Sequence, residues 1–247
     1  MLSKLQIDIN ADVGEGIGNE DLLMPYLSSC NIACGGHAGD ESTMKSVVEL
    51  AKQYQVKIGA HPSFPDRKNF GRIVMDVAHD VLLDSLKTQL KTLLAICNSK
   101  GIRINHVKPH GALYNLAVYD EVIAEVILNS LSVFSYNIKL YAPQQSVIAK
   151  LASSRNIEVV YEGFADRNYN DDLSLVSRLQ PSALITERDA VFDHVYRMIK
   201  QQHVKTITGA EKAIKVDTIC VHGDTKNAIE LVQYLQVHLK SKNIKIL

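Results

Sequence analysis

Residues 31–40 read NIACGGHAGD, and ESTMKSVVELAKQY follows at 41–54. An apolar, strand-like run stops at three glycines set around one histidine, and a helical pattern then begins. Asp40 stands where a helix N-cap is expected, and Met44, Val47, Val48, Ala51 and Tyr54 fall on one helical face. Gly35, Gly36 and Gly39 supply either positive φ or room for close approach to the backbone. Free N–H groups at the start of a helix suit a phosphate or carboxylate, and His37 sits inside that turn.

The same strand–turn–helix unit recurs outward from there. LQIDIN (5–10), CNIAC (30–34), VKIGAH (56–61), INHVK (104–108), IKLYAP (138–143), IEVVYEGF (157–164), SALIT (182–186) and DTICVH (217–222) are short, apolar and often β-branched. Between them, VLLDSLKTQLKTLLAICNSKG (81–101) places leucines on one face and ends at Gly101, a residue suited to the C′ position. EVIAEVILNSL, QSVIAKLASSRN, AVFDHVYRMIKQQ and TKNAIELVQYLQVHL read similarly. Strands alternating with helices predict a parallel sheet covered on both faces. With no linker of Pro, Gly and Ser, the expectation is one α/β domain over 1–247: a (β/α) barrel of seven or eight parallel strands. An open doubly wound sheet is the alternative, and it would gather its polar residues at one switch point.

Lys+Arg and Asp+Glu both number 27, so the formal net charge is zero and no basic face invites nucleic acid. No apolar run is long enough to span a membrane. The start, MLSKLQIDINADVG, lacks the apolar core of a signal peptide, and four scattered cysteines fit reduced, buried thiols in a cytoplasmic protein. There is no GxxxxGK[ST] or GxGxxG phosphate loop.

Polar residues follow the strands at their C-terminal ends: Asp8, Asn10, Asp12 and Glu15; Asn31, His37 and Asp40; His61 with Asp66, Arg67 and Arg72; Lys108, His110, Tyr114 and Asn115; Glu162, Asp166 and Arg167; His222 and Asp224. In a β/α barrel these ends form one rim, where such barrels carry their chemistry. Alternation in DINAD puts Asp8, Asn10 and Asp12 on one face, and polar groups pointing into a barrel need partners or a ligand. Lys108 at a strand end is a candidate to hold a phosphoryl or carboxylate group, or to act as a base if its pKa is depressed. Histidines at the rim suit acid–base work or, with Asp12 as carboxylate, a metal site. No HxH or HExxH spacing marks ligands in advance.

DINADVGEG, NIACGGHAGD, IGAHPSFPDRKNFGR, VKPHGALYN, EGFADRNY and VHGD, in this order, resemble the LamB/YcsF family, one component of the bacterial ATP-dependent 5-oxoprolinase. The resemblance runs from about Gln6 to Asp224. It implies a barrel of the polysaccharide-deacetylase type, often seven-stranded, and the opening of the lactam of 5-oxo-L-proline to L-glutamate coupled to ATP hydrolysis. It also implies two further subunits, B and C, and Mg²⁺ as counter-ion of ATP. The catalytic candidates are then Asp12, His61, Lys108 and His110. The candidates for holding substrate or nucleotide are Asn10, Glu15, Asn31, Gly35, Gly36, His37, Arg72, Tyr114, Asn115, Asp166, Arg167 and His222. Asp12, His37 and His61 are the candidate ligands of a divalent metal.

One stretch departs from the family pattern. Where an Asp-Gly pair and L-V-P-R-S are expected, the chain has NDDLSLVSRLQPSALI: Leu173 replaces the glycine and Ser177 the proline. Two other functions remain open at this level. One is a metal-dependent amide or ester hydrolase, or a deacetylase, working without ATP on Asp12 and two histidines. The other is a non-catalytic regulatory or carbohydrate-binding partner.

Overall fold

Alternation along QIDINADV makes β1 (Gln6–Val13), whose residues beyond Gln6 are all buried. Asp8, Asn10 and Asp12 take one face, and Ile7, Ile9 and Ala11 the other. The computed structural model describes residues 5–247. After β1 and a short helix, α1 (Glu20–Leu23), come β2 (Ser29–Ala33), α2 (Glu41–Gln53), β3 (Lys57–His61), α3 (His79–Ser99) and β4 (His106–Val107). Then follow α4 (Gly111–Leu116), α5 (Glu121–Ser130), β5 (Lys139–Ala142), α6 (Val147–Ser154) and β6 (Val159–Phe164). The chain ends with α7 (Arg188–Gln201), β7 (His203–Lys205), β8 (Glu211–Ala213), β9 (Thr218–Cys220), α8 (Ala228–Ser241) and β10 (Lys245–Ile246).

The strands run in the order β1-β2-β3-β4-β5-β6-β9, all parallel, and β9 returns to pair with β1. That closes a seven-stranded barrel, which settles the choice between seven and eight strands and excludes the open sheet. The helices pack their apolar faces outside it, with Met44, Val47, Val48 and Ala51 of α2 buried as the periodicity predicts. Asp40 caps α2 by accepting the Thr43 N–H at 2.8 Å, and Gly101 adopts φ +67 just past α3.

SALIT is not a barrel strand. Between Phe164 and Arg188 the chain forms no helix, and a parallel strand needs a crossover of roughly a dozen residues, usually helical. The segment instead doubles back over the rim, held by antiparallel bridges Arg167–Leu184 and Tyr169–Leu175. The β7–β8 hairpin braces it from outside: Thr206 and Thr208 both donate to Asp171 Oδ1, at 2.5 and 2.7 Å. Leu173 keeps φ +66, the left-handed conformation that the expected glycine would adopt freely. The hairpin and β10, which pairs with the start of β1, were not legible as strands.

Candidate active site

The inward faces of the strands build a polar column through the barrel. At its lower level Asp8 accepts from Ser29 Oγ at 2.6 Å and Thr218 Oγ1 at 2.7 Å. One level up, Asn10 Nδ2 donates to Glu162 Oε1 at 3.0 Å and Thr218 Oγ1 at 2.8 Å. Asn31 Nδ2 donates to both Asn10 Oδ1 and Asp12 Oδ1 at 2.8 Å. His106 donates its Nε2–H to Asn31 Oδ1 at 2.7 Å and stacks on Tyr141. Burial, with the nearby Lys108 charge, holds this imidazole well below its usual pKa, so it is neutral and structural. Each partner is needed, because an unpaired polar group at this depth costs about 1–3 kcal/mol.

Lys108 reaches in from the end of β4. Its Nζ lies 3.0 Å from Asp12 Oδ1, 3.0 Å from Glu162 Oε1 and 3.1 Å from Cys220 Sγ. Burial opposes its charge, but the carboxylates more than offset that, and its pKa stands well above the ordinary value. The reading of Lys108 as a base of depressed pKa is therefore corrected: it is an ammonium held between carboxylates. Burial likewise opposes ionisation of Asp12, and its contacts with His61 and the Lys108 ammonium still hold it well below the usual carboxylate range. Tyr114 donates its hydroxyl to Glu162 Oε2 at 2.9 Å.

Histidines flank this pair on two sides. On one, Asp166 accepts His222 Nδ1–H at 2.9 Å, the His222 backbone N–H at 3.1 Å and the Thr225 hydroxyl. His222 Nε2 is the ring nitrogen that Asp166 does not engage. The ligand atoms of Asp12, Cys220 and His222 lie within 4.8 Å of one another. On the other side, His61 donates Nδ1–H to the Lys108 carbonyl at 2.7 Å, and His110 donates Nε2–H to the Phe70 carbonyl at 3.0 Å. Their inner nitrogens face each other at 2.9 Å. Glu15 and His37 complete this group, whose ligand atoms also lie within 4.8 Å of one another.

The LamB/YcsF family model matches residues 7–247. The chain belongs to the LamB/YcsF family. It is 42% identical over 241 residues to the 5-oxoprolinase A subunit of Haemophilus influenzae (strain PittEE), covering 98% of each chain. It is 40% identical to the 5-oxoprolinase A subunit of Thermococcus sibiricus, over 98% of this chain and 97% of that one. Among solved structures it is similar to the lactam utilization protein of Thermus thermophilus, with a TM-score of 0.90, 32% identity and coverage of 98% and 99%.

In this LamB/YcsF barrel, Asn10, Asp12, Glu15, Asn31, His37, His61, Lys108, His110, Tyr114, Asp166 and His222 converge at the upper end. Arg72 stands at the rim, bonded to Asp224 Oδ2 at 2.5 Å, with Arg178 on the same oxygen at 3.3 Å. Asn115 is exposed on α4, away from the centre. Arg167 turns from it to donate to the Val176 carbonyl at 2.6 Å, which anchors the rim segment. Gly35, at φ +95, spends its N–H on Ala38 O at 2.9 Å. A Cβ on Gly36 would meet Gln89 Oε1 and Ser63 Oγ at 2.5 Å, so that glycine is required by packing. Gly35 thus closes the turn with its own N–H, and Gly36 answers to close packing.

Glu162 is among the strand-end residues of the sequence reading but carries no role there, and Cys220 is absent from it, though both lie against Lys108. Glu162 sits two residues before Phe164, at the end of a strand that the residue pattern identifies, so the strand-end rule was sufficient to find it. Cys220 carried no such signal. All four cysteines are buried free thiols. Among the described residues no helix is long and apolar enough to cross a membrane.

Proposed function

We propose that this chain is the A subunit of an ATP-dependent 5-oxoprolinase and that its barrel centre opens the lactam ring. The observation that carries the reading is the near-complete match to proteins of that name, together with a sealed centre holding a fixed ammonium beside an oriented imidazole. ATP, with Mg²⁺ neutralising its polyphosphate, is the co-substrate of an assembly with two further subunits, B and C.

A lactam resists water until its oxygen is activated. In the proposed sequence the γ-phosphoryl group passes to the lactam oxygen and ADP leaves. Water then adds to the ring carbon, giving its proton to His222 Nε2, and Asp166 stabilises the imidazolium. The ring C–N bond breaks and the nitrogen takes up a proton to become the amine of glutamate. A second water releases the phosphoryl group as phosphate. Lys108 offsets the charge of the phosphoryl group on the activated lactam, in a site where water does not screen it. Asp12 holds the ammonium, and Asn31 holds Asp12.

Glutamate release from 5-oxo-L-proline, with and without ATP–Mg²⁺, tests the reading on this chain alone and mixed with candidate partner subunits. Glutamate formed only with ATP and partners is the expected result. No glutamate from folded, assembled protein would overturn it. A second reading, a metal-dependent amide hydrolase without ATP, draws on the cluster of Glu15, His37, His61 and His110. Glutamate or another product formed without ATP, on adding a transition metal, would favour it.

A further inference from the structure

A carbonyl oxygen only accepts, so the bonds to Lys108 O and Phe70 O fix one proton on His61 Nδ1 and one on His110 Nε2. If both rings are neutral, their inner nitrogens set two lone pairs against each other at 2.9 Å. Only a third proton or a metal ion makes that contact favourable. Glu15 Oε1 lies 3.3 Å from His110 Nδ1 and 3.8 Å from His61 Nε2, and 2.8 Å from His37 Nε2. From this geometry we infer that Glu15, His37, His61 and His110 form a binding site for one divalent transition-metal ion of the zinc class. This inference does not rest on the lactam reading.

Three features support a metal over a shared proton alone. First, an outer ring nitrogen held by a backbone carbonyl is the arrangement that aims a metal-binding histidine, and two of the three rings have it. Second, three imidazoles and one carboxylate suit zinc, cobalt or nickel, whereas magnesium and calcium prefer all-oxygen sites. Third, the surroundings are rich in carboxylates. Glu15 faces all three rings and Asp12 Oδ2 lies 3.4 Å from His61 Nε2, while the Lys108 ammonium is shared between Asp12 and Glu162. His37 is the adjustable member. It is 2% exposed and stacks on His110 with centroids 3.6 Å apart. Its Nδ1 is one of three buried side-chain polar atoms without a partner among the described residues.

The test uses the full chain, stripped of metal by a chelator and titrated with Zn²⁺ alone and with Co²⁺ alone, with no lactam or ATP present. One equivalent of zinc bound, and visible d–d absorption from Co²⁺ in a four-coordinate nitrogen-rich site, are expected. Glu15→Gln and His110→Gln should each weaken zinc binding by about tenfold or more, with the far-ultraviolet circular dichroism of wild type. No binding by wild type would overturn the site, leaving the contact between His61 and His110 to a shared proton. Affinity unchanged in both folded variants would also overturn it. Should both variants fail to fold, a wild-type Co²⁺ complex without those absorption bands would count equally against it.

Discussion

The two groups of histidines beside Asp12 and Lys108 are held by different partners. His222 is oriented by a carboxylate, Asp166, which accepts from both its ring and its backbone. His61 and His110 are oriented by main-chain carbonyls. A carboxylate acceptor orients the ring and sets which nitrogen is turned toward the centre. A carbonyl likewise aims the ring, and here it aims two rings at a common point beside Glu15. The same residue type is thus prepared for proton transfer on one side of the centre and for holding a cation on the other.

The largest expected effect comes from removing the group between the two sides. Lys108→Met leaves Asp12 and Glu162 buried without their shared cation. It should cost about 3–5 kcal/mol of stability and abolish turnover in the assembled enzyme. Chemical denaturation and the glutamate assay read the two losses separately. Asp166→Asn breaks the carboxylate side alone: kcat should fall about 10²–10⁴-fold, with zinc binding by the chain unchanged. If zinc binding fell equally, the two sides would not be independent.

Smaller effects sharpen the distinction from purely structural histidines. A Cβ on Gly59 would sit 2.0 Å from His106 Nε2. Gly59→Ala should therefore cost about 1–3 kcal/mol through overpacking, read as a lowered Tm. His194 on α7 lies outside both histidine groups, packed on Tyr169. Burial pulls its pKa down to about 4 from 6.5. Between those values the unfolded chain binds a proton that the folded chain does not, so stability falls as pH drops from 6.5 to 4. The loss should be about 3 kcal/mol at most, at roughly 1.4 kcal/mol per pH unit. His194→Phe should flatten that part of the pH dependence of the denaturation midpoint.

Much of this was legible in the residue pattern because two short-range rules carry it. Period-two alternation put Asp8, Asn10 and Asp12 on the inner face, and the strand-end rule gathered His61, Lys108, His110 and His222 at one rim. What escaped depends on closure. Glu162 meets Lys108, and Asp166 meets His222, only because β6 and β9 complete a ring with β1. Arg167 was read as a binding residue from its position after β6, but its direction is set by the path of the rim segment, which no local pattern encodes. SALIT resembled a strand because three apolar residues in a row look alike in a sheet and in a loop packed on one. The choice between a proton and a metal at His61 and His110 follows from hydrogen-bond direction, which spacing alone never shows.

The central claim is that His222, oriented by Asp166, moves the proton in lactam opening. The most direct measurement compares ATP-dependent glutamate formation by the assembled enzyme carrying wild-type chain with that carrying His222→Gln, both verified as folded and assembled. The account predicts glutamate from wild type and a loss of at least about 10²-fold in kcat for the variant. Turnover at the wild-type rate by His222→Gln would contradict it.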